Sequence, residues 1–238
     1  MSEAPRYWCV VPAAGVGRRM GGVIPKQYLL LNGKLVIEHA LERLLDHPLT
    51  ASIYVAVSNE DRWWDGCCFA GHPRVVRVEG GRERSHSVLN ALRRIMVEAD
   101  PNDWVLVHDA ARPCLRTTDV DRLIDELAAD PVGGILASRV VDTIKLEQRP
   151  GVVGKTLPRE HLWRAFTPQM FRLGLLHEAL NAALQSGNVV SDEASAIELH
   201  GLQPRLIEGH SDNIKITHPS DLDLAAYYLQ QQHFGVVR

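Results

Sequence analysis

Residues 7–34 read YWCVVPAAGVGRRMGGVIPKQYLLLNGK, and this stretch decides the fold. It begins with a short apolar run, Tyr7 to Val11, which predicts a buried strand because its residues are mostly β-branched or aromatic and Pro12 follows at once. Glycine lets the backbone turn sharply and lets an anion approach the N–H groups without a Cβ in the way. The turn after the strand holds four glycines: Gly15, Gly17, Gly21 and Gly22.

Three basic residues lie in or just after this glycine-rich turn: Arg18, Arg19 and Lys26. A turn of this kind, placed after a strand and rich in cations, is suited to a polyphosphate. The alternative is a flexible surface turn with incidental arginines. Pro25 counts against that alternative, because its ring stiffens the approach to Lys26. We favour a triphosphate site.

The turn matches neither of two common nucleotide-binding fingerprints. In a dinucleotide fingerprint that begins at Gly15, the third glycine would fall at position 20, which is Met20. Gly21 would give a looser variant, but no acidic residue ends a clear second strand at the expected distance. A Walker loop requires Gly-Lys-Ser/Thr, which does not follow here. A dehydrogenase is therefore disfavoured.

Size and composition indicate one ordinary globular domain. The chain has 238 residues, of which 45% are hydrophobic and 23% charged, and we predict a single domain over residues 1–238 without repeats or linkers. The net charge of −3 argues against nucleic acid or an anionic membrane as a general partner. The cations of the glycine-rich turn are expected to act locally.

The cysteines and the apolar runs predict a cytoplasmic protein. Cys9, Cys67, Cys68 and Cys114 show no metal-ligand spacing and are expected to be free thiols in a reducing compartment. Residues 7–16 are apolar enough to imitate a signal-peptide core, but arginines follow where a cleavage site should lie. No run approaches the ~18 apolar residues of a membrane span.

The rest of the chain mostly alternates strands with helices. After an Asn32-Gly33 hairpin signal, predicted strands cover 52–57, 75–78, 104–107 and 133–140. Predicted helices cover 37–45, 85–98, a segment capped by Thr117 or Thr118, 173–185, a segment capped by Ser191 or Asp192, and 220–231. This alternation predicts a parallel sheet covered on both faces.

Three predicted strands are followed directly by glycines or charged residues, and this indicates where a ligand binds. The first ends in the glycine-rich turn, the third in Gly80-Gly81-Arg82, and the fourth in residues 108–113, which include Asp109 and Arg112. In open sheets of this type ligands bind beyond the carboxyl ends of the strands. The coincidence predicts a single nucleotide crevice.

Three segments have weaker patterns. Residues 58–73, with Trp63 and Trp64, are interpreted as a short amphipathic helix rather than a binding platform. Residues 206–208 and 214–217 are interpreted as short strands. Residues 141–159 alternate polar and apolar around a turn and have too few apolar residues for a core of their own, so they predict a protruding hairpin.

The charged residues at predicted loops and strand ends favour phosphoryl or nucleotidyl transfer. That chemistry needs neutralisation of developing charge and in-line placement of the nucleophile, more than covalent help from the protein. No nucleophile–base arrangement rivals it, because no Gly-x-Ser-x-Gly elbow or HExxH motif occurs. The charged set is Arg19, Lys26, Asp109, Arg112, Arg159, Asp212 and Lys215.

Six motifs occur in an order that resembles one enzyme family. They are PAAGVGRRM at 12–20, PKQY at 25–28, HDAARP at 108–113, TPQ at 167–169, DEAS at 192–195 and DNIK at 212–215. Together they resemble the 2-C-methyl-D-erythritol 4-phosphate cytidylyltransferases of the non-mevalonate isoprenoid pathway. The first motif is shared by many sugar nucleotidyltransferases, whereas the ordered set is specific. Ser191 stands where the family usually has threonine, which retains the hydroxyl.

The resemblance implies an α/β, Rossmann-like nucleotidyltransferase sheet, mostly parallel, and transfer of a cytidylyl group from CTP with release of pyrophosphate. It assigns catalytic roles to Arg19, Lys26, Arg159 and Lys215. It assigns nucleotide contacts to Pro12, Ala13, Ala14, Gly15, Gly80, Gly81 and Ser87. It assigns the methylerythritol side to Asp109, Arg112, Thr143, Thr167 and Asp212.

The resemblance also implies a cofactor and a partner. Mg²⁺ is expected chiefly on the CTP phosphates, with Asp109 nearby and no metal site built from protein ligands alone. A homodimer is expected in which the hairpin of about residues 141–159 serves as the dimerisation arm and delivers Arg159 to the partner's site. The nearest alternative is a pentitol-phosphate cytidylyltransferase, against which Asp212 argues, and a catalytically inactive nucleotide-binding module is a further one.

Overall fold

A seven-stranded sheet forms the centre of the protein in a computed structural model that describes residues 6–15 and 23–233. The strands are β1 (Tyr7–Pro12), β2 (Leu30–Leu31), β3 (Lys34–Leu35), β4 (Thr50–Val57), β5 (Val75–Glu79), β6 (Trp104–Val107), β7 (Gly133–Arg139), β8 (Ile144–Arg149), β9 (Val152–Leu157), β10 (Trp163–Arg172) and β11 (Arg205–Glu208). The helices are α1 (Val36–Leu45), α2 (Arg84–Ile95), α3 (Thr117–Leu127), α4 (Leu173–Gln185), α5 (Glu193–Leu199) and α6 (Ser220–His233).

The large sheet is mostly parallel, as the sequence predicts. Its strand order is β11-β7-β10-β6-β1-β4-β5. Neighbouring strands run parallel except at β10, which is antiparallel to both β6 and β7. The carboxyl ends of β1, β4, β5 and β6 therefore meet at one edge of the sheet.

Both faces of the sheet are buried, which the alternation within β1 makes clear. Cys9 and Val11 belong to a core cluster that includes the apolar faces of α1 and α3. Trp8 and Val10 point the other way, into a cluster with α2, α4 and α5. Successive residues of a strand point to opposite faces, so a continuous apolar run is the expected sequence of a strand covered on both sides. This confirms the prediction of a sheet between two helical layers.

The predicted Asn32-Gly33 hairpin is confirmed by β2 and β3, which pair antiparallel. Asn32 and Gly33 have φ values of 49° and 82°, which suits the two central positions of a tight hairpin turn with positive φ. The predicted cap of α5 by Ser191 or Asp192 is also confirmed, because the Asp192 carboxylate accepts a hydrogen bond from Ser195 N at the start of that helix.

Two local predictions are wrong. Residues 58–73 contain only a 3₁₀ turn, Trp64–Gly66, because the Asp61 carboxylate binds the backbone N–H groups of Trp63 and Trp64 at 2.9 Å each and holds a turn. Thr117 and Thr118 do not cap α3, whose N-cap residue is Arg116 without a side-chain hydrogen bond.

Two strand predictions also need correction. Residues 214–217 form no strand, and the segment is held instead by single contacts such as Ile216 N to Ala111 O at 2.9 Å. The sequence did not predict β10, whose pairing with β7 shifts register between Ala165 and Gln169. The Thr167–Pro168 peptide bond inside that shift is cis. A strand interrupted by proline lacks the regular alternation that sequence patterns detect.

The predicted hairpin at residues 141–159 is present as β8 and β9, which form a separate two-stranded antiparallel sheet. Its apolar residues are poorly covered, with Val153 at 60% exposure and Leu146 at 47%. We call this hairpin the arm. Among the described residues, no helix has the length and apolar character that crossing a membrane requires.

Candidate active site

A cleft of about 360 Å³ opens at the carboxyl ends of the parallel strands. It lies where the sequence predicts a crevice, between the loop after β1, the turn after β5 and the loop after β6. Its lining residues are Pro12, Ala13, Ala14, Gly15, Lys26, Gln27, Gly81, Arg82, Glu83, Arg84, Ser87, Asp109, Ala110, Ala111, Lys215 and Thr217.

The loop after β1 is held in shape by a buried glutamine that the sequence analysis did not single out. Gln27 is 4% exposed, and its Nε2 donates to Ala13 O at 2.7 Å and to Gly15 O at 3.1 Å. On the other side, Ala13 N donates to Ala56 O of β4 at 2.7 Å. Both contacts of Gln27 are to backbone carbonyls. The available sequence signal for it is the PKQY motif at 25–28, in which it follows Lys26.

Two lysines line the cleft from different parts of the chain. Lys26 Nζ donates to Ile216 O at 2.6 Å, and Lys215 Nζ lies 2.8 Å from Asp109 Oδ2. Their ammonium groups give one cleft two positive charges, which is the electrostatic requirement of a phosphate site. Both were predicted from sequence. The third predicted cation of this group, Arg19, lies outside the described residues.

The turn after β5 packs closely against the loop after β1. A Cβ on Gly80 would lie 2.4 Å from Ala14 Cβ and 3.0 Å from Val57 O. Gly81 N donates to Ser87 Oγ at 2.9 Å, and that hydroxyl donates to Glu83 O at 3.1 Å. Gly81 and Ser87 line the cleft, whereas Gly80 lies behind it as a spacer.

A buried ion cluster forms one wall of the cleft. Arg84 Nε lies 2.9 Å from Asp109 Oδ1, while its Nη1 and Nη2 lie 2.6 Å and 3.0 Å from the two carboxylate oxygens of Glu193. Burial opposes ionisation of Asp109, but Arg84, Lys215 and Arg112 outweigh it and hold the pKa of Asp109 well below its usual range. Asp109 is therefore a carboxylate at any physiological pH.

Arg84 and Glu193 are site residues that the sequence analysis missed. Burial raises the pKa of Glu193, and the adjacent Arg84 guanidinium opposes that rise. Burial disfavours the charged Arg84, but Glu193 and Asp109 outweigh it and raise the pKa of the guanidinium. Glu193 lies within the DEAS motif quoted above, which is the one available signal. Arg84 begins the helix after a glycine turn, and its partner is 109 residues away.

Arg112 and Thr167 lie beneath the cleft and do not line it. Arg112 Nη1 donates to Asn213 O at 2.7 Å. Thr167 Oγ1 accepts from Asp109 N at 3.0 Å and bonds His108 Nδ1 at 3.0 Å. Burial lowers the pKa of His108 to about 4, so the ring is neutral, and its Nε2–H donates to Arg112 O at 3.0 Å. These contacts position Asp109 from below.

Three further predicted residues lie away from the lining. Asp212 is paired with Arg116, whose Nη2 is 2.5 Å from Oδ2, and also accepts from Gln232 at 3.3 Å. Thr143 and Arg159 are exposed and flank the base of the arm, and Arg159 Nη1 donates to Val141 O. Their assignment to substrate stays a prediction.

The residues of the cleft do not form a metal cage. Within residues 6–15 and 23–233, no group of three His, Cys, Asp or Glu side chains could hold a metal ion. Asp109 is the buried carboxylate of the lining, and its oxygens already contact Arg84 and Lys215. Such a donor set suits a cation that arrives on ligand phosphates and takes at most one protein carboxylate.

Comparison with known proteins points to one family. The family model described as "IspD: 2-C-methyl-D-erythritol 4-phosphate cytidylyltransferase" matches residues 8–231. A protein of that name from Pseudomonas putida is 53% identical over 236 residues, which covers 99% of each chain. One from Hahella chejuensis is 50% identical over 229 residues and covers 96% of this chain and 95% of its own.

Solved structures give the same result. The crystal structure of the enzyme of that name from Francisella tularensis superposes with a TM-score of 0.82 at 38% identity, covering 94% of this chain and 99% of that one. A structure described as 4-diphosphocytidyl-2C-methyl-D-erythritol synthase superposes with a TM-score of 0.83 at 37% identity, covering 96% of this chain and 100% of that one.

Proposed function

Because the chain belongs to the 2-C-methyl-D-erythritol 4-phosphate cytidylyltransferase family, it is an enzyme that transfers the cytidylyl group of CTP to 2-C-methyl-D-erythritol 4-phosphate, and we propose how its cleft does so. The products are 4-diphosphocytidyl-2-C-methyl-D-erythritol and pyrophosphate. A phosphate oxygen of the acceptor attacks the α-phosphorus of CTP in line. The bond to the bridging oxygen of the β-phosphate breaks, and pyrophosphate leaves with that electron pair.

The observation that carries this proposal is the pair of lysines, Lys26 and Lys215, that line one cleft together with the glycine loop. The backbone of Pro12 to Gly15 receives the triphosphate, and Lys26 lines the same cleft. Charge on the oxygens around the reacting phosphorus grows in the transition state, so a fixed ammonium stabilises that state more than the bound substrate. Arg19 is expected to act together with Lys26, as the motif match implies.

The base of CTP is assigned to the turn after β5. Gly81 lines the cleft, and Gly80 lets the turn approach Ala14 without a side chain between them. A turn of backbone carbonyls and amides can pair with the exocyclic amine of cytosine. Ser87 holds Gly81 N at 2.9 Å and so fixes the shape of that turn.

The acceptor is assigned to the side of Lys215 and Asp109. Lys215 binds the acceptor phosphate, and Asp109 orients the lysine through the 2.8 Å ion pair. Arg112 and Thr167 support this pair from beneath, through the Asn213 carbonyl and the Asp109 amide respectively. The pairing of Asp212 with Arg116 anchors the start of the segment that carries Lys215.

Mg²⁺ is proposed as the cofactor, bound chiefly by the CTP phosphates. Bound there, it would neutralise charge on the phosphate oxygens. Asp109, the buried carboxylate of the lining, could join it. The protein's own part is to bind and orient the nucleotide through the glycine loop and the lysines.

We further propose that the chain works as a homodimer in which each arm completes the partner's site. The arm leaves Leu146, Val152 and Val153 exposed, and an isolated two-stranded hairpin is marginal in water. Exchange of matching arms about a two-fold axis would cover both. It would also deliver Arg159 and Thr143, which lie outside the lining of the cleft, to the acceptor side of the other chain.

Complementation tests the exchange of arms. Lys26→Ala and Arg159→Ala chains are each expected to be inactive alone. In a mixed dimer, one composite site carries both substitutions and the other carries neither. Random pairing should therefore restore about a quarter of wild-type activity. If mixed dimers form and stay inactive, Lys26 and Arg159 serve the same chain's site.

The activity is tested by pyrophosphate release over a panel of nucleotides and sugar phosphates. CTP with 2-C-methyl-D-erythritol 4-phosphate should give the highest kcat/KM of all pairs. Higher activity with a pentitol phosphate would point to the related class, which the family match does not favour.

A single domain over residues 1–238 and a cytoplasmic location remain our proposals; the four free cysteines agree with a reducing compartment.

A further inference from the structure

Arg84 is shared between two buried carboxylates with different surroundings. Its Nε contacts Asp109, which lines the cleft, while its two terminal nitrogens form a fork with Glu193 at 2.6 Å and 3.0 Å. Glu193 is fully buried, at 0% exposure, and does not line the cleft. The bidentate pair fixes the plane of the guanidinium, and with it the direction in which Nε points.

Glu193 is itself held rigidly. It is the first residue of α5, and Asp192, the residue before it, caps that helix. Gln169 of β10 accepts from Ala194 N at 2.9 Å and donates to Asp192 Oδ2 at 2.9 Å. The start of α5 is thereby fixed to the central sheet, and the Glu193 carboxylate has a defined place from which to hold Arg84.

The contacts continue into the cleft. Arg84 contacts Oδ1 of Asp109, whereas Lys215 contacts Oδ2 of the same carboxylate. The orientation of the carboxylate therefore depends on Arg84, and the position of the Lys215 ammonium depends on the carboxylate. If Arg84 lost its fixed plane, it could take both oxygens of Asp109 as a fork and displace Lys215.

Glu193 also sets the charge of this wall. Arg84, Arg112 and Lys215 bring three positive charges, and Asp109 and Glu193 bring two negative ones. With Glu193 in place, Arg84 is neutralised at its far end. Without it, Arg84 adds an uncompensated charge to the wall of a cleft that must release pyrophosphate.

We propose that Glu193 is a positioning residue for cytidylyl transfer: by holding Arg84, it orients Asp109 and Lys215 for the acceptor and keeps Arg84 from binding the phosphates. This role rests on the proposed assignment of Lys215 and Asp109 to the acceptor side. A buried ion pair on its own is weak evidence for a contribution to stability, whereas a fork that continues to two residues of the cleft has a consequence for the reaction.

The test is Glu193→Gln, which keeps the size of the side chain and removes its charge. We expect kcat to fall about 10- to 100-fold, because a displacement of Lys215 on the order of 1 Å is costly. KM for CTP should not rise, and pyrophosphate should inhibit at lower concentration than in the wild type. Weaker folding alone would not give this combination.

Glu38→Gln is the matched control. Glu38 is also buried, and its carboxylate accepts hydrogen bonds from Leu35 N at 2.7 Å and Cys68 N at 2.8 Å, away from the cleft. The control should lose stability while kcat per folded enzyme stays within about twofold of wild type. If Glu193→Gln behaves like Glu38→Gln, the positioning role is refuted.

Two further variants keep the outcomes separate. Glu193→Asp retains the charge on a shorter side chain, so its kcat per folded enzyme should lie between those of wild type and Glu193→Gln. Should Glu193→Gln fail to fold, full activity of Glu193→Asp would overturn the inference. Lys215→Ala tests the assignment of Lys215 to the acceptor phosphate, on which the role of Glu193 rests. An active Lys215→Ala enzyme would refute the proposed site, whereas an inactive one beside a fully active Glu193→Gln would refute the role of Glu193 alone.

Discussion

Gly80→Ala is expected to damage the nucleotide side of the cleft. The added Cβ would lie 2.4 Å from Ala14 Cβ and 3.0 Å from Val57 O. Carbon atoms in contact are normally about 3.5–4.0 Å apart, so one of the two loops has to move by roughly 1 Å. Neither loop is free to do so, because Gly80 N and Ala13 N are each bonded to β4, at Val57 O and Ala56 O.

The size of the effect follows from these distances. Overpacking of this kind costs about 1–3 kcal/mol of stability. For a chain of this length that lowers Tm by roughly 2–12 °C. Ala14 lines the cleft, so the same displacement acts on bound CTP. A misplacement of about 1 Å lowers kcat/KM for CTP by up to about 10²-fold.

The assay compares Gly80→Ala with Gly66→Ala and with the double variant Gly80→Ala/Ala14→Gly. A Cβ on Gly66 meets nothing within 4 Å, so that variant should match wild type in Tm and in kcat/KM. The double variant removes the methyl group that the new Cβ meets and should recover part of both losses. If Gly80→Ala is folded and its kcat/KM for CTP is within twofold of Gly66→Ala, the close approach of the two loops does not shape the nucleotide site.

Four other outcomes are expected. Lys26→Ala and Arg19→Ala should each lower turnover by about 10²–10³-fold with a smaller effect on CTP binding, and near-normal kcat would remove the loop cations from catalysis. CTP should be preferred strongly over UTP, because a site that pairs the cytosine amine leaves its own groups unpaired with uracil; equal kcat/KM would contradict this. Gln27→Glu, which cannot donate to two carbonyls, should raise KM for CTP, and an unchanged KM would show that the loop keeps its shape without it. Burial lowers the pKa of His108 to about 4, against about 6.5 in the unfolded chain. The stabilisation from the neutral ring is therefore complete above pH 6.5, and the free energy of unfolding falls by up to about 3 kcal/mol as the pH drops toward 4. Denaturant unfolding of His108→Gln should show a weaker pH dependence over that range.

The sequence predicted the place of the site because that place follows from topology. Parallel strands bring their carboxyl ends to one edge, so glycines after β1 and β5 and a carboxylate after β6 had to meet there. It did not predict β10, in which the register shift and Pro168 interrupt the alternation. The helix expected at 58–73 failed for a local reason, since the Asp61 carboxylate competes for the backbone N–H groups of Trp63 and Trp64.

The sequence did not predict the ion cluster of Arg84, Asp109 and Glu193 for a different reason. Arg84 and Glu193 are 109 residues apart, and each alone is an ordinary charged residue at the start of a helix. Gln27 acts entirely on backbone carbonyls, and no side-chain pattern records that contact. Lys215 and Asp109 were predicted as separate site residues, whereas their 2.8 Å contact depends on how the 214–217 segment packs against the loop after β6.

That packing explains how two like charges are held in one cleft. The segment 214–217 is tied to the loop after β6 through Ile216 N and Ala111 O at 2.9 Å. From it, Lys215 reaches back to Asp109, while the Ile216 carbonyl accepts from Lys26 at 2.6 Å. One short stretch therefore supplies the second cation and also holds the first. Charges held in place before the reaction need no reorganisation when charge develops on the phosphates, so changes that loosen this stretch should lower kcat even though both lysines remain.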